Sequence, residues 1–282
     1  MNTPITNPTA QKSDVASGRI VLQDGRRSLL FEDPKQVVAV YEPGDVESAL
    51  RFVTSCVHDQ GLHAAGFLTY EASLAYNLAT NEPPSDSLPL LWFGLYNQPQ
   101  ETEVLVMPYG EYQVGEWQAG QDWSSYEAAI KAVKSYIALG HTYQVNYTMP
   151  LTASFTGDPW ALYRDLTQSQ QAQYMAYLDL GRFVICSSSP ELFFHRDGDQ
   201  LYSKPMKGTA RRGRTLAEDR LQIEWLQNSE KNRAENVMIV DMIRNDFGRI
   251  AEIGSVTVPE LFTVERYPTL LQMTSTVSAR SH

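Results

Sequence analysis

Short apolar runs separated by polar, proline-bearing stretches set the rhythm of the first hundred residues. Val37-Val38-Ala39-Val40-Tyr41 predicts a strand. Over 45–57 the period lengthens: Ala49, Phe52 and Val53 share one helical face, with Asp45 placed to cap it. Positions 64–70 and 90–96 are short, aromatic-rich runs and predict buried strands. Between them, Asn81-Glu82-Pro83-Pro84-Ser85-Asp86 reads as a loop. Residues 1–17 are polar, carry Pro4 and Pro8, and read as a loose tail.

A second pattern starts near Gln121. Ser124-Ser125-Tyr126-Glu127 fits a capping box, with Ser124 as the cap. Tyr126, Ile130, Val133 and Ile137 then follow on one helical face, and Gly140 stops the helix. Residues 143–148 predict a strand. So do 182–186, 192–196 and 201–204. The last two are joined at Asp197-Gly198, a favoured type I′ hairpin pair. With that pair at the turn centre, Phe193 lies opposite Tyr202 and Glu191 opposite Lys204. Glu191 then sits at the open end of the hairpin. The chain leaves by that end into a turn, Pro205-Met206-Lys207-Gly208-Thr209. Thr215-Leu216-Ala217-Glu218 is a further capping box, opening a helix that reaches Asn228. Ser229 caps the next helix, on which Glu235, Ile239, Met242 and Asp246 share a face before Phe247-Gly248 ends it. Of the later strands, 255–258 is the clearest.

Composition narrows the class. The chain has 282 residues, 43% hydrophobic and 20% charged, enough for one or two globular domains. The expected division is a tail over 1–17, an N-terminal region over 18–116 and a second region over 117–282. A net charge of −10 excludes an overall basic footprint for nucleic acid or an anionic membrane. The longest apolar stretch, 88–96, is too short to span a bilayer. Only two cysteines occur, Cys56 and Cys186, without metal-ligand spacing, and Cys186 reads as a buried strand thiol. A cytoplasmic protein is expected.

Local chemistry concentrates in 182–250. Seven Lys or Arg residues against four acids stand between Arg196 and Arg220. Such a cluster either binds a small polyanion or is a solvated loop with scattered ion pairs. Lys207, in a shaped turn, is a candidate nucleophile, and Glu191 at the same hairpin end is a candidate proton-transfer group. An exposed lysine and an ordinary turn glutamate fit the same pattern. Glu235 lies beside the apolar run 237–240, with Lys231 available as a simple i,i+4 partner. One carboxylate is not by itself a Mg²⁺ site. The five histidines show no ligand spacing, and Gly-rich phosphate loops and GxSxG elbows are absent.

The order of these pieces is more specific than any one of them. Gly140-His141-Thr142-Tyr143-Gln144-Val145-Asn146-Tyr147-Thr148 comes first. Ser188-Ser189-Pro190-Glu191-Leu192-Phe193 and Lys204-Pro205-Met206-Lys207-Gly208-Thr209 follow. Lys231-Asn232-Arg233-Ala234-Glu235-Asn236 and Asp241-Met242-Ile243-Arg244-Asn245-Asp246-Phe247-Gly248-Arg249 complete the series. It closely resembles the chorismate-utilising enzymes, and within them the aminodeoxychorismate synthase component I group. The resemblance is strong over 120–280 and looser over 18–116.

The resemblance implies an α+β fold: two β-sheets packed face to face with helices outside, the second half incomplete here. It implies chorismate as substrate and a glutamine amidotransferase partner that supplies ammonia, with neither nucleic acid nor membrane involved. Anthranilate synthases carry a small residue before the Gly-Thr pair, whereas aminodeoxychorismate synthases carry lysine, as here. By resemblance, Lys207 attacks C2 of chorismate and the C4 hydroxyl leaves; ammonia then enters at C4 and expels the lysine. Glu191 matches the general acid/base, Gly208 and Thr209 the substrate-binding pair, and Glu235 a carboxylate that binds Mg²⁺. An anthranilate or isochorismate synthase is the alternative enzyme, against which Lys207 argues. An inactive remnant that only binds a partner or ligand is the alternative from another class. Leu29-Leu30-Phe31-Glu32-Asp33-Pro34 departs from the Leu-Leu-Glu-Ser type segment of tryptophan-regulated relatives. The family's Gly-Ser-x-Thr-Gly-Ala-Pro-Lys type segment and its further metal-binding glutamates are not found before His282. A truncated chain, inactive and marginally stable alone, is therefore expected.

Overall fold

The structure, a computed structural model, describes residues 18–25, 27–84, 86–102 and 110–282. The expected tail over 1–17 lies outside the described residues. Contacts divide the chain into two units, Met1–Pro108 with Tyr163–Pro190, and Tyr109–Leu162 with Glu191–His282. The first unit begins with β1 (Arg19–Asp24), β2 (Arg27–Phe31), β3 (Gln36–Val40), α1 (Val46–Gln60), β4 (His63–Leu68), β5 (Leu91–Tyr96) and β6 (Gln100–Thr102). Next come β7 (Tyr112–Val114), β8 (Gln118–Ala119), α2 (Trp123–Ala138), β9 (Leu151–Thr152) and β10 (Phe155–Gly157) of the second unit. Helix α3 (Pro159–Gln170) is followed by β11 (Tyr174–Asp179) and β12 (Val184–Ser189) of the first. The second unit ends with β13 (Leu192–Asp197), β14 (Gln200–Lys204), β15 (Met206–Arg211), α4 (Leu216–Asn228), α5 (Glu230–Gly248), β16 (Thr257–Arg266) and β17 (Leu270–Arg280). The class is α+β, as expected. No helix among the described residues is long and apolar enough to cross a membrane.

In the first unit the sheets run β12-β11-β1-β2-β6 and β3-β5-β4. Helix α1 forms as predicted and buries Val46, Ala49, Val53 and Cys56 against Val38, Val40, Leu91 and Leu95. Asp45 stands at its N-cap, but the side chain makes no capping bond. The buried phenol of Tyr96 donates to Gly18 O at 2.7 Å, and burial pushes its pKa up. Cys186 is half-buried rather than buried, and desolvation raises its thiol to about 11. The units do not follow a single cut near 116. Strand β11 pairs along β1 from Arg19↔Asp179 to Asp24↔Tyr174, which draws 163–190 back to the first unit.

The second unit is organised by β17. One edge pairs with β15 near its start and β14 near its end, and the other edge pairs with β16. Its side chains alternate with period two. Leu271, Met273, Ser275, Val277 and Ala279 are all buried. Leu271 and Met273 pack with Leu226 of α4, and Val277 and Ala279 with Val240 and Phe247 of α5. Burying each large apolar side chain contributes about 1.5–3 kcal/mol. Thr215 and Ser229 cap α4 and α5 as expected, accepting from Glu218 N and Asn232 N. The buried face of α5 is Asn236, Val240 and Phe247, one position beyond the predicted Glu235 face.

Three local expectations are corrected. Helix α2 is capped by Asp122, not Ser124; its carboxylate accepts from Ser125 N at 2.8 Å and from Ser124 Oγ at 2.9 Å. A charged acceptor makes the stronger bond, and the Ser125 amide holds the Asp122 carboxyl below its usual range. The apolar stripe of α2 contains no buried residue. Residues 143–148 form no strand. In the β13–β14 hairpin the turn is Gly198-Asp199, because Asp197 pairs with Gln200. Gly198 takes φ +60°, the freedom a type II′ turn asks of its first central residue. His195, not Phe193, therefore faces Tyr202. Leu192, not Glu191, faces Lys204, after a bulge between Leu192 and His195.

Leu271→Ala removes a fully buried side chain from under α4. It is expected to cost about 2–5 kcal/mol in a urea unfolding experiment, with the slope unchanged.

Candidate active site in the second unit

The segment expected as a turn, 205–209, is a strand with a bulge. Met206 pairs with Thr274 and Thr209 with Gln272, so Lys207 and Gly208 together oppose Met273 alone. The extra residue needs a backbone that L side chains avoid, and Gly208 supplies it at φ +100°. Space adds a second demand, since a Cβ at 208 would stand 3.1 Å from Asn232 Cβ and 3.3 Å from Leu226 Cδ1. The bulge turns Lys207 out of the ladder beside α5.

Around it the candidate residues converge through the backbone. Lys207 is half-buried, and its Nζ donates to Asn146 Oδ1 at 3.1 Å. Met206 N donates to Glu191 Oε1 at 3.3 Å. The candidate proton-transfer group is thus held to the residue next to Lys207, whose own amine is held to Asn146. From the helix side, Asn236 Nδ2 reaches Lys207 O at 3.5 Å, and Ser275 Oγ donates to Asn236 Oδ1 at 2.5 Å. Sequence reasoning missed Asn236 and Ser275 as site residues. A buried amide beside the apolar run 237–240, and a hydroxyl within the alternating 271–279, were the available signals.

Thr209 is exposed and donates from Oγ1 to Gln272 Oε1 at 2.8 Å. It belongs to a polar sheet face. Thr276 donates to Glu260 Oε2 at 3.1 Å, and the Thr257 and Ser278 hydroxyls stand 2.9 Å apart. Lys204 pairs with Glu265, which also accepts from Tyr267 OH at 2.6 Å and Thr274 Oγ1 at 3.3 Å. The face thus carries hydroxyls, an amide, Lys204 and the carboxylates of Glu260 and Glu265 beside a half-buried amine.

Glu235 is next to Asn236 on α5, but its charged partner is Lys231 at 3.8 Å, the simple i,i+4 pair. Among the described residues no group of three His, Cys, Asp or Glu side chains stands close enough to hold a metal. These residues therefore do not by themselves compose a complete Mg²⁺ site.

The cationic cluster resolves into a structural pin. Arg212 Nε lies 3.1 and 3.0 Å from the two oxygens of buried Asp219, and Arg212 Nη1 donates to Tyr267 O at 2.6 Å. Gly213 N donates to Asp219 Oδ1 at 2.6 Å, and Arg214 N to Glu218 Oε2 at 2.7 Å. The Arg212 hydrogen bonds, partly opposed by burial, hold the Asp219 carboxyl below the usual carboxylate range.

Gly208→Ala is expected to destabilise the chain by about 1–3 kcal/mol, read as a lower urea midpoint. A folded-state pKa below the unfolded one contributes stability above the unfolded value, and it is lost as pH falls through the folded value. Acid unfolding below about pH 4 should therefore flatten in Asp219→Asn, which should also be less stable than wild type at pH 7.

A sequence model of chorismate binding enzymes matches residues 107–282. Among curated proteins, aminodeoxychorismate synthase component 1 of Klebsiella aerogenes is 42% identical over 165 residues, 58% of this chain and 36% of that protein. Anthranilate synthase component 1 of Thermus thermophilus is 39% identical over 161 residues, 57% of this chain and 35% of that protein. The matched segment thus spans about a third of the length of these relatives. Among solved structures, anthranilate synthase component I of Streptococcus pneumoniae superposes with a TM-score of 0.78 at 19% identity, covering 99% of this chain and 75% of that one. The menaquinone-specific isochorismate synthase MenF of Escherichia coli gives 0.65 at 13% identity, covering 100% and 70%. The structural likenesses speak for the fold. The family match covers the bulged strand, helices α4 and α5 and β17, and with it more than half of the sequence, so this chain belongs to the chorismate-binding enzyme family.

Proposed function

We propose that the chain is the part of an aminodeoxychorismate synthase component 1 that carries the nucleophile and the proton-transfer group. The observation that carries this reading is Lys207, an amine on a glycine-dependent bulge, with Glu191 bonded to the neighbouring backbone amide. The name of the Klebsiella relative supports it. The anthranilate synthase of similar identity is the competing reading. A lysine at 207, where the family resemblance puts a small residue in anthranilate synthases, favours amination at C4.

In the proposed reaction the Lys207 amine bonds to C2 of chorismate and sheds a proton, both ring double bonds shift by one position, and the C4–O bond breaks. Glu191 gives the departing hydroxyl its proton, so that water leaves. Ammonia then bonds to C4 and gives up a proton, both double bonds return, and the C2–N bond to Lys207 breaks as the lysine nitrogen takes a proton. The sum is chorismate plus ammonia to 4-amino-4-deoxychorismate plus water. Thr209 and the polar face around Gln272 would orient the substrate, and the glycine at 208 permits the bulge that sets Lys207 beside that face. A glutamine amidotransferase is the proposed ammonia source, which the designation as component 1 of a relative supports. Glu235 is the carboxylate this chain offers toward Mg²⁺. Cys56 and Cys186 form no disulfide among the described residues, which supports a cytoplasmic setting.

The test uses this chain extended by the C-terminal segment of the Klebsiella relative, with chorismate, ammonium and Mg²⁺. Lys207→Ala and Lys207→Arg are both expected to abolish amination while the unfolding midpoint stays near wild type. Arginine keeps the charge but cannot attack carbon at usable pH. Glu191→Gln is expected to lower the rate by about two to four orders of magnitude. An active Lys207→Arg enzyme would return the lysine to a binding role and reopen the choice of synthase.

A further inference from the structure

We propose that Asn236 is a positioning residue for Lys207, oriented by Ser275 through a buried relay that ties two β-bulges together. The proposal rests on reading Lys207 as the reacting amine.

The relay starts at a second bulge. Glu260 pairs with Thr276 and Thr263 with Thr274, so Leu261 and Phe262 together oppose Ser275. Phe262 sits there at φ +60°, a conformation that residues with a side chain adopt only when their surroundings hold them in it. Its N–H points away from the ladder and donates to Ser275 Oγ at 3.1 Å. Across the strand from that contact, Ser275 Oγ is 2.5 Å from Asn236 Oδ1.

Donor counting fixes the direction of every bond. A backbone N–H can only donate, so the Ser275 oxygen accepts from Phe262. The single hydroxyl proton is then available for Asn236, whose Oδ1 can only accept. The Lys207 carbonyl, 3.5 Å away, can only accept, so it meets the Asn236 NH₂ and leaves Oδ1 facing the Ser275 hydroxyl. The contact is long, but its geometry is constrained at both ends. Asn236 is 1% exposed and Ser275 0%, so neither can turn to water instead. The carbonyl it meets belongs to a bulge, where the ladder to β17 is interrupted between Met206 and Thr209. One helical turn earlier, Asn232 closes on Gly208 from the same helix, at the 3.1 Å a Cβ there would meet. Helix α5 thus addresses both residues of the bulge, the carbonyl of one and the missing side chain of the other.

The consequence is a rigid base for a flexible side chain. Lys207 has four rotatable side-chain bonds, and its Nζ is steadied by Asn146. That tip contact has value only if the backbone beneath it stays in place. A reacting amine displaced by a small amount loses its attack geometry, so the relay acts on the rate through Lys207 without touching substrate.

The test reads Lys207 directly in the 282-residue chain and needs no chorismate. Acetic anhydride is applied in trace amount under native conditions, and each lysine is quantified by mass spectrometry. Lys131 serves as the exposed reference and Lys204 as the neighbour in the same sheet. In wild type, Lys207 should label more slowly than Lys131. In Ser275→Ala, which deletes one hydroxyl, and in Asn236→Ala, Lys207 labelling should rise several-fold while Lys204 and Lys131 keep their rates. Ser275→Thr, which retains the hydroxyl, should restore the wild-type ratio. A merely structural role would lower the unfolding midpoint and leave the Lys207 ratio unchanged, or raise Lys204 with it; either result overturns the proposal. In wild type, the Asn236 side-chain NH₂ should exchange slowly by NMR, and fast exchange would overturn the relay even if the variants fail to fold. Selective Lys207 labelling in the variants, with no chemistry at Lys207 in the extended enzyme, would uphold the relay and reject the proposed reaction.

Discussion

The second unit depends on the two-residue period of β17. Its 11 residues are paired along both edges. Odd-numbered positions from 271 to 279 lie under the helices, and Gln272, Thr276 and Ser278 carry the polar face. A slip of one residue would place Gln272, Thr276 and Ser278 in the core and drive Leu271 and Met273 into water. Register is therefore held by the hydrophobic free energy of a whole row of side chains. Strands β14, β15 and β16 all take their alignment from this row. The two bulges fall where they do because the partner strand does not move to absorb them.

From that alignment the site follows. Lys207 and Gly208 stand opposite Met273, so the extra residue is pushed toward α5, where only glycine fits. Leu261 and Phe262 stand opposite Ser275, whose hydroxyl points to the same helix. The core strand thus carries apolar anchors and one polar side chain that links the distortions on either side of it. Membership of the chorismate-binding enzyme family gives this arrangement a chemical setting. The distances describe how the chain holds an amine and a carboxylate on neighbouring backbone.

Much of this was legible in the sequence where the signal was local. Thr215 and Ser229 announce their helices because a short hydroxyl side chain followed by a polar third residue has few other uses. The ordered motifs around Glu191, Lys207 and Glu235 pointed to the family before any contact was known. Signals that resemble one another locally were misread. Asp122 and Ser124 both suit a cap, and the carboxylate prevailed. Asp197-Gly198 and Gly198-Asp199 both suit a hairpin, and the bulge after Leu192 has no mark of its own. Pro205 and Gly208 read equally as a turn or as a bulged strand. The strand that decides between them lies more than sixty residues onward. Sequence separation also hid the Asn236–Ser275 pair, 39 residues apart, and the return of 163–190 to the first unit. Glu235 shows the opposite case: the simple lysine pairing was available from spacing, and it is the contact the structure has.

The central claim is that the Lys207 amine reacts with substrate carbon. Intact-mass spectrometry of the extended chain, incubated with chorismate and Mg²⁺ without ammonia, tests it most directly. The account predicts a covalent adduct of chorismate less water, mapped by peptide sequencing to Lys207, which disappears when ammonium is added. An enzyme that aminates chorismate yet shows no adduct at Lys207 under any quench would contradict it.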